Sequence, residues 1–385
     1  MKKETKEIIY IANVRIPTEK AHGHQIAKMC EQFAERGYKV ELWAPARKNN
    51  ISADVFSFYN LEENFKIKKV PCLDLFSLEK FIGPFSFWLE FLSFYFFILI
   101  KSAFLSPRTI IYTREPLVCL FKIFFFKVIF ECHSIPEKKK SFFLLARLAD
   151  RIITVSSGLK EFFLQKGFKE EKIFVSPDAV DLSVFDINMT KKEAREKLDL
   201  PEGQKIVVYT GKFKTMNMDK GLSDILKSLA HLPPNIMFLA VGGSQEDIAY
   251  YQKEAEELKV DGRVKFIGHV SQGELAIYQK AADILLMPFP FNQHYAYYMS
   301  PLKMFEYMAG KRPIIASDLP SIREILNSQN SCLCQPDNPK DLSEKIAFVL
   351  ENETLGEKIA EKAYQDAKNY TWEKRAEGIL GFIRK

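Results

Sequence analysis
What the sequence has little of narrows it first. Six cysteines occur in 385 residues, Cys30, Cys72, Cys119, Cys132, Cys332 and Cys334, and no two form a CxxC pair. A disulfide framework or zinc knuckle has no scaffold here. The cysteines sit mostly inside apolar runs and read as reduced, buried thiols of a cytosolic protein. Cys332 and Cys334 alternate on a predicted strand and face one side, but a metal there would lack two further ligands. No GxGxxG follows either first strand, which leaves a dinucleotide-dependent dehydrogenase without its phosphate turn. No nucleic-acid-binding motif accompanies the basic residues. Residues 1–7 are charged and the apolar run 8–12 is too short for a secretory h-region, so a cytoplasmic location is expected. Nor does any apolar run reach the roughly 20 residues of a membrane span. The nearest, 85–100, holds only Glu90 as a charge and is closed by Pro84 and Lys101. It is expected to be a core helix of the first domain. A helix in the membrane interface, anchored by Trp88 and several Phe, is the second reading and a span the third.

What is present is a globular composition, 47% hydrophobic and 27% charged, in a chain long enough for two α/β domains. The net charge of +6 is uneven: residues 1–180 hold 28 Lys and Arg against 20 Asp and Glu. A basic first half suits an anionic partner, nucleic acid or an acidic membrane surface. Lys138, Lys139 and Lys140 before the apolar run 142–148, and Lys66, Lys68 and Lys69, form two basic patches. Beside aromatic helices they suit an anionic bilayer; a solvated face is the equal alternative.

Strand-like runs at 7–13, 40–44, 109–113, 127–132, 151–155 and 172–175 alternate with helical segments, which implies parallel pairing with helices on both faces. A polar stretch, 176–200, reads as a linker with a short helix at 191–198. A second alternating series follows, with strands at 205–210, 236–241, 264–267, 284–288 and 313–316. Two open α/β sheets predict two Rossmann-like domains facing a cleft, with ligands outside the carboxyl ends of the strands.

At one such end lies the run 298–310. Ser300 suits an N-cap, Pro301 the first helical position, and Gly310 the stop. A helix N-terminus with free N–H groups suits a phosphate. Glu306, one turn below Leu302, can accept hydrogen bonds from two ribose hydroxyls, and Lys303 can reach phosphate or solvent. Lys212 follows the strand 205–210. Lys220 and Gly221 open the next helix, with Asp219 as a cap. Two such lysines can straddle a diphosphate and stabilise the charge that grows on a leaving group. Taken singly, these residues read as a cap, a solvated carboxylate and surface lysines; their joint order gives the phosphate reading.

Gly211-Lys-Phe213, Lys220-Gly221 and Ser300-Pro-Leu-Lys-Met-Phe-Glu-Tyr-Met-Ala-Gly-Lys-Arg-Pro-Ile-Ile-Ala-Ser317 resemble the retaining family 4 glycosyltransferases of the GT-B fold. The resemblance runs over nearly the whole chain and includes Glu131-Cys-His133, Val175-Ser-Pro-Asp-Ala-Val-Asp181 and Tyr370-Thr-Trp-Glu-Lys-Arg-Ala376. It implies an acceptor domain, 1–185, a nucleotide-sugar domain, 186–369, and a final helix, 370–385, returning to the first. In the family's Glu-x7-Glu motif the second Glu binds the ribose and matches Glu306. The first contacts the donor sugar and matches Tyr298, so that carboxylate is absent. The chain resembles a branch with Ser-Pro-Leu-Lys in this place, and the donor sugar is left to Tyr298 and the nearby Asn292, Gln293 and His294. The family's usual Arg is Lys212 here, which keeps the charge and loses the bidentate fork.

On the acceptor side, the loop 14–21 leads into His22-Gly23-His24 at a helix start, where Gly23 permits close backbone approach. The resemblance makes this a flexible loop near the reacting centre. His22 and His24 are expected to cap the helix or touch the acceptor rather than bind metal. His133 ends a strand and is expected to orient an acceptor hydroxyl. Arg114 and Glu115 end another and read as an ion pair. The resemblance implies retention of configuration by front-face transfer, with the leaving phosphate taking the acceptor proton and no nucleophilic side chain. No DxD cluster calls for a divalent metal, and no cofactor is expected beyond the nucleotide-diphosphate sugar as substrate. The expected acceptor is a glycan or lipid-linked group at the inner membrane face. A nucleotide-sugar epimerase of the same plan, or a non-catalytic sugar- or nucleotide-binding paralogue, are the alternatives.

Overall fold
The structure is a computed structural model that describes residues 6–136, 139–215 and 218–385. The chain forms two units. The first is Met1–Val155, Leu159–Ser176 and Trp372–Lys385; the second is Ser156–Gly158 and Pro177–Thr371. The first carries 32 Lys and Arg against 21 Asp and Glu, the second 23 against 28. Where the sequence suggested a change at 185/186, the chain passes into the second unit at 176/177. The cause is apolar: Val180 and Phe185 are buried in the second unit's core, and Val180 bridges to Thr371.

The first unit is a seven-stranded sheet of β1 (Glu7–Ile11), β2 (Lys39–Pro45), β3 (Lys66–Val70), β4 (Ile110–Thr113), β5 (Lys127–Cys132), β6 (Arg151–Thr154) and β7 (Ile173–Val175). The spatial order is β3-β2-β1-β4-β5-β6-β7, parallel throughout. Ile8, Ile9, Tyr10 and Ile11 are fully buried, as strands covered on both faces require. Strand β3 holds the lysines taken for a basic patch. Lys68 instead pairs with Glu41 at 2.8 Å, and the Lys69 ammonium donates to the Ile16 carbonyl. Lys138 lies outside the described residues.

The helix Trp372–Arg384 returns to this unit. Trp372 is buried beside His24, ring centroids 6.0 Å apart, and Phe382 stacks on Phe174 at 5.2 Å. Its Arg375 reaches Glu131 on β5 at 3.0 Å. Glu131 is fully buried and also meets Arg114 at 2.9 Å, the His133 ring at 2.5 Å and the Tyr112 hydroxyl. Burial alone would raise its pKa, but Arg114, Arg375 and His133 hold the carboxyl well below its ordinary value. Arg114 therefore pairs with Glu131 and not with its neighbour Glu115. Glu115 accepts instead from the Asn13 N–H at 3.2 Å and the Tyr95 hydroxyl at 3.4 Å.

The run expected to be a core helix is a helix, Phe85–Ser102, but not a core one. Only Ser86, Glu90, Phe94, Ile98 and Ser102 are buried, a single strip at a spacing of four residues. Phe85, Phe87, Trp88 and Phe96 face outward, because the first unit's sheet offers this helix contact along one line only.

The second unit holds β8 (Lys205–Thr210), a short hairpin of β9 (Lys214–Thr215) and β10 (Met218–Asp219), then β11 (Ile236–Val241), β12 (Val264–Ile267), β13 (Ile284–Met287), β14 (Ile314–Ser317) and β15 (Cys332–Cys334). Its main sheet runs β12-β11-β8-β13-β14-β15, again all parallel. Ile206 and Val208 point into one apolar core and Val207 and Tyr209 into the other, one on each face. Both units are parallel-sheet, Rossmann-like α/β layers.

Truncating one partner of a buried charge cluster leaves the others unanswered. Arg375→Ala is expected to destabilise the first unit by about 3–5 kcal/mol, read from urea midpoints. The wild-type advantage over Glu131→Gln should be full above the unfolded glutamate value of about 4.3. It should then fade as pH falls toward the depressed folded value.

Candidate functional site
Strand β8 ends at Gly211, whose φ of +100° only glycine adopts without strain. Its N–H donates to the Val241 carbonyl at 2.8 Å, tying the ends of β8 and β11 together. Lys212 leaves this turn exposed to solvent. After the hairpin, the Asp219 carboxylate accepts from the Leu222 N–H at 3.1 Å and the Ser223 N–H at 3.4 Å. It thereby caps the helix Leu222–Leu229, as the sequence suggested. Asp219 also accepts from the Tyr251 hydroxyl at 2.7 Å. Between cap and helix lies Gly221, at φ +95°, where a Cβ would stand 1.8 Å from the Pro288 carbonyl oxygen. The backbone beside Lys220 is thus pressed against the end of β13, and only glycine permits that. Burial, and then the Lys212 ammonium, lower the Lys220 pKa to about 8.

The helix Leu302–Ala309 starts one residue later than expected, with Pro301 at the N-cap and no side-chain cap. The Ser300 hydroxyl accepts from the Asp178 N–H at 2.9 Å and does not cap the helix. Pro301 and Leu302 are half-buried at its entrance. Lys303 does not reach solvent. Its side chain is buried, with the ammonium 3.4 Å from the centre of the Tyr209 ring and 5.6 Å from that of Phe289. It lies beneath the Gly211 turn, where an added Cβ would meet the end of the lysine at 3.6–3.7 Å. Among the described residues its Nζ has no hydrogen-bond partner. Burial, then the Lys220 charge, lower its pKa well below that of an ordinary lysine, against a pull from Glu306 and Asp219. Glu306, one turn on and half-buried, is raised by burial to about 7 despite Lys303. The Tyr307 hydroxyl accepts from the Thr210 N–H at 2.8 Å and locks this helix to β8.

His294 and Tyr298 share a π-helical turn, His294–Tyr298, a local irregularity often found at functional sites. Burial and the Lys220 charge lower the His294 pKa. Tyr298 is buried and its hydroxyl accepts from Gln293 at 2.8 Å. Asn292 holds the turn's Tyr295 N–H at 2.8 Å. The second unit therefore brings together Lys212, Lys220, Lys303, His294 and Glu306: Lys212 acts on Lys220, Lys220 on His294 and Lys303, and Lys303 and Glu306 on each other.

In the first unit His133 follows β5 and is held by Glu131. The Gln25 side chain accepts from Arg114 at 2.9 Å, which links the helix Ala21–Glu35 to that cluster. His22, Gly23 and His24 lie in the first turn of that helix and not in a flexible loop. Neither histidine caps it: Lys20 is the N-cap, and it makes no side-chain bond. His24 is buried between the Tyr59 and Trp372 rings. What approaches Gly23 is Tyr59, whose hydroxyl an added Cβ would meet at 2.2 Å, so the glycine serves internal packing. Sequence reasoning missed Tyr209, which covers the buried ammonium and had read only as a strand residue. It also missed Arg375 as a holder of Glu131, since 244 residues separate the two.

The model of the glycosyltransferase family 4 domain matches residues 23–184, and that of the glycosyl transferases group 1 matches 190–366. A D-inositol 3-phosphate glycosyltransferase of Nocardioides sp. is 24% identical over 229 residues, 56% of this chain and 48% of that protein. The N,N'-diacetylbacillosaminyl-diphospho-undecaprenol alpha-1,3-N-acetylgalactosaminyltransferase of Campylobacter jejuni is 27% identical over 228 residues, 58% of this chain and 57% of that one. The chain thus spans about half the length of the curated relatives it matches. In fold it is similar to a sucrose-phosphate synthase from Thermosynechococcus elongatus, TM-score 0.79 at 19% identity over 98% of both chains. It is similar too to the Anabaena HepE protein in complex with UDP, TM-score 0.72 at 16% identity over 98% of this chain and 99% of that one. With a family 4 domain followed by a group 1 domain, on two parallel Rossmann-like sheets, the chain belongs to the glycosyltransferases of the GT-B fold.

Proposed function
We propose that this chain is a retaining, hexosyltransferase-like enzyme that moves a sugar from a nucleotide-diphosphate donor to a glycan or lipid-linked acceptor. The observation that carries this reading is the buried Lys303 ammonium beside the depressed Lys220, under the Gly211 turn. A desolvated cation without a hydrogen-bond acceptor is costly unless something anionic completes it. A pyrophosphate would do so: Lys212 and Lys220 take its outer oxygens, Lys303 answers from below, and the N–H groups of Leu302 and Lys303, which follow Ser300 and Pro301, lie where the helix dipole favours an anion. Glu306 takes the ribose hydroxyls. His294 and Tyr298 face the donor sugar, in the place of the carboxylate the motif lacks. On the first unit His133, in an orientation fixed by Glu131, receives the acceptor hydroxyl, and the turn His22-Gly23-His24 flanks it.

In the step itself the acceptor oxygen bonds to the anomeric carbon as the bond from that carbon to the β-phosphate oxygen breaks. The hydroxyl proton passes to the leaving phosphate. The lysines stabilise the charge that grows there, which is a larger effect in a desolvated site than in water. The relatives' printed names favour this chemistry: one acts on an undecaprenol diphosphate, and the HepE protein binds UDP. We infer a cytoplasmic site for the reaction, a reading that the six free thiols support.

Lys220→Ala is expected to lower transfer about 100- to 1,000-fold while leaving the urea midpoint in place, and unchanged turnover would sink the assignment. Because binding an anion favours the charged amine, nucleotide-diphosphate affinity should fall as pH rises through about 8. Titration calorimetry of UDP and GDP should show that alkaline limb vanish in Lys220→Arg, whose guanidinium does not titrate there. Lys303→Met separates binding from folding. Removing an unanswered buried amine should raise the melting temperature of the ligand-free chain, yet abolish the further rise that a bound nucleotide diphosphate gives.

A further inference from the structure
The helix Phe85–Ser102 presents an apolar face that no part of the described chain covers. Phe85, Trp88, Leu92, Phe96 and Leu99 lie on one side at helical spacing, with Trp88 53%, Leu92 59% and Phe96 58% exposed. Just outside the helix ends, Phe81 at 85% and Phe104 at 86% extend the same apolar surface. Such a strip is far larger than the scattered apolar residues of an ordinary soluble surface.

The opposite side is fastened to the protein. The Glu90 carboxylate accepts from the Asn13 side chain at 3.3 Å, at the end of β1. The Tyr95 hydroxyl donates to Glu115 at 3.4 Å, and the Ser93 hydroxyl accepts from the Leu73 N–H at 2.8 Å. A helix held along one line by polar contacts to a folded sheet cannot be surrounded by lipid, so a span does not fit it. The charges select the occupant. Between Lys80 and Lys101 the only charge is Glu90, which points inward. Lys80 is exposed before the helix, next to an exposed Glu79, Arg108 is exposed in the segment after it, and the whole unit has an excess of 11 basic residues. A broad apolar strip that carries a Trp, has no acid facing outward within the helix and belongs to a unit with a large basic excess complements an anionic lipid surface.

We propose that this face is a bilayer-docking surface, on which the helix lies in the plane of an anionic membrane with its apolar side chains among the acyl chains. The proposal does not depend on the transferase reading, since it concerns neither donor nor acceptor.

The test uses the full chain and vesicles of phosphatidylcholine with about one-third phosphatidylglycerol. Co-sedimentation should show binding at least about tenfold stronger than to phosphatidylcholine alone. The double variant Trp88→Ser/Phe96→Ser should lose about tenfold of it, with the circular dichroism spectrum and urea midpoint unchanged. A second pair, Phe81→Ser/Phe104→Ser, lies outside the helix and should weaken binding in the same direction. Three results would overturn the proposal. The chain could fail to bind either vesicle. It could form a dimer in solution that Trp88→Ser/Phe96→Ser splits, making a second copy the occupant. It could resist extraction from membranes by alkaline carbonate, as a spanning helix does.

Discussion

A buried charge must be answered, and the two units answer theirs differently. Glu131 is met on every side, by two guanidiniums, an imidazole and a phenol. That cluster is complete, and it ties β5 to a helix from the far end of the chain. Lys303 is buried too, but has an aromatic face and, among the described residues, no acceptor. A cation over a tyrosine ring recovers part of its lost hydration, never all of it. One arrangement is finished by the fold; the other, on the reading proposed above, is finished by a substrate. The difference separates a cluster that stabilises from one that waits.

The close-packed backbone supports that contrast. Gly221 presses its backbone against the Pro288 carbonyl, which holds the main chain beside Lys220 at the end of β13. The Tyr307 hydroxyl pins the helix that carries Lys303 and Glu306 to β8. The main chain at Lys220 and the helix that carries Lys303 are therefore held, by a glycine contact and a phenol, before any anion arrives. Preorganised charge of this kind costs stability in the empty protein and no reorganisation during reaction.

The strands were legible because a parallel sheet is buried on both faces and writes itself as unbroken apolar runs, such as Ile8–Ile11 and Ile284–Met287. Strand β3 escaped because it is an edge, and edges are commonly guarded by lysine. Its Lys66, Lys68 and Lys69 therefore looked like a patch and not a strand. That Lys212, Lys220 and Glu306 would lie together was legible from their order at strand ends. What could not be read were partners distant in sequence. Ser300 looks like a cap until Asp178 claims its hydroxyl. Arg114 looks paired to Glu115 until β5 sets Glu131 beside it. Proximity along the chain is a poor guide where neighbouring strands come from crossovers of many residues.

The helix Phe85–Ser102 shows the same limit in composition. Sixteen nearly uniform apolar positions carry no periodic signal, so hydropathy alone cannot say which side turns inward. The one acid decides. A carboxyl group cannot be left among acyl chains or phenyl rings without a partner, and the side chain of Asn13 at the end of β1 supplies one. With Glu90 fixed there, the 100° step of the helix places Phe94 and Ile98 inward and sends Trp88, Leu92 and Phe96 out. Burial raises the Glu90 pKa while the Asn13 contact opposes the rise. A leucine at position 90 would pack the same groove and leave the rotation of the helix undetermined. Asn13, by giving its side-chain amide to Glu90 and its backbone N–H to Glu115, couples that rotation to the end of β1.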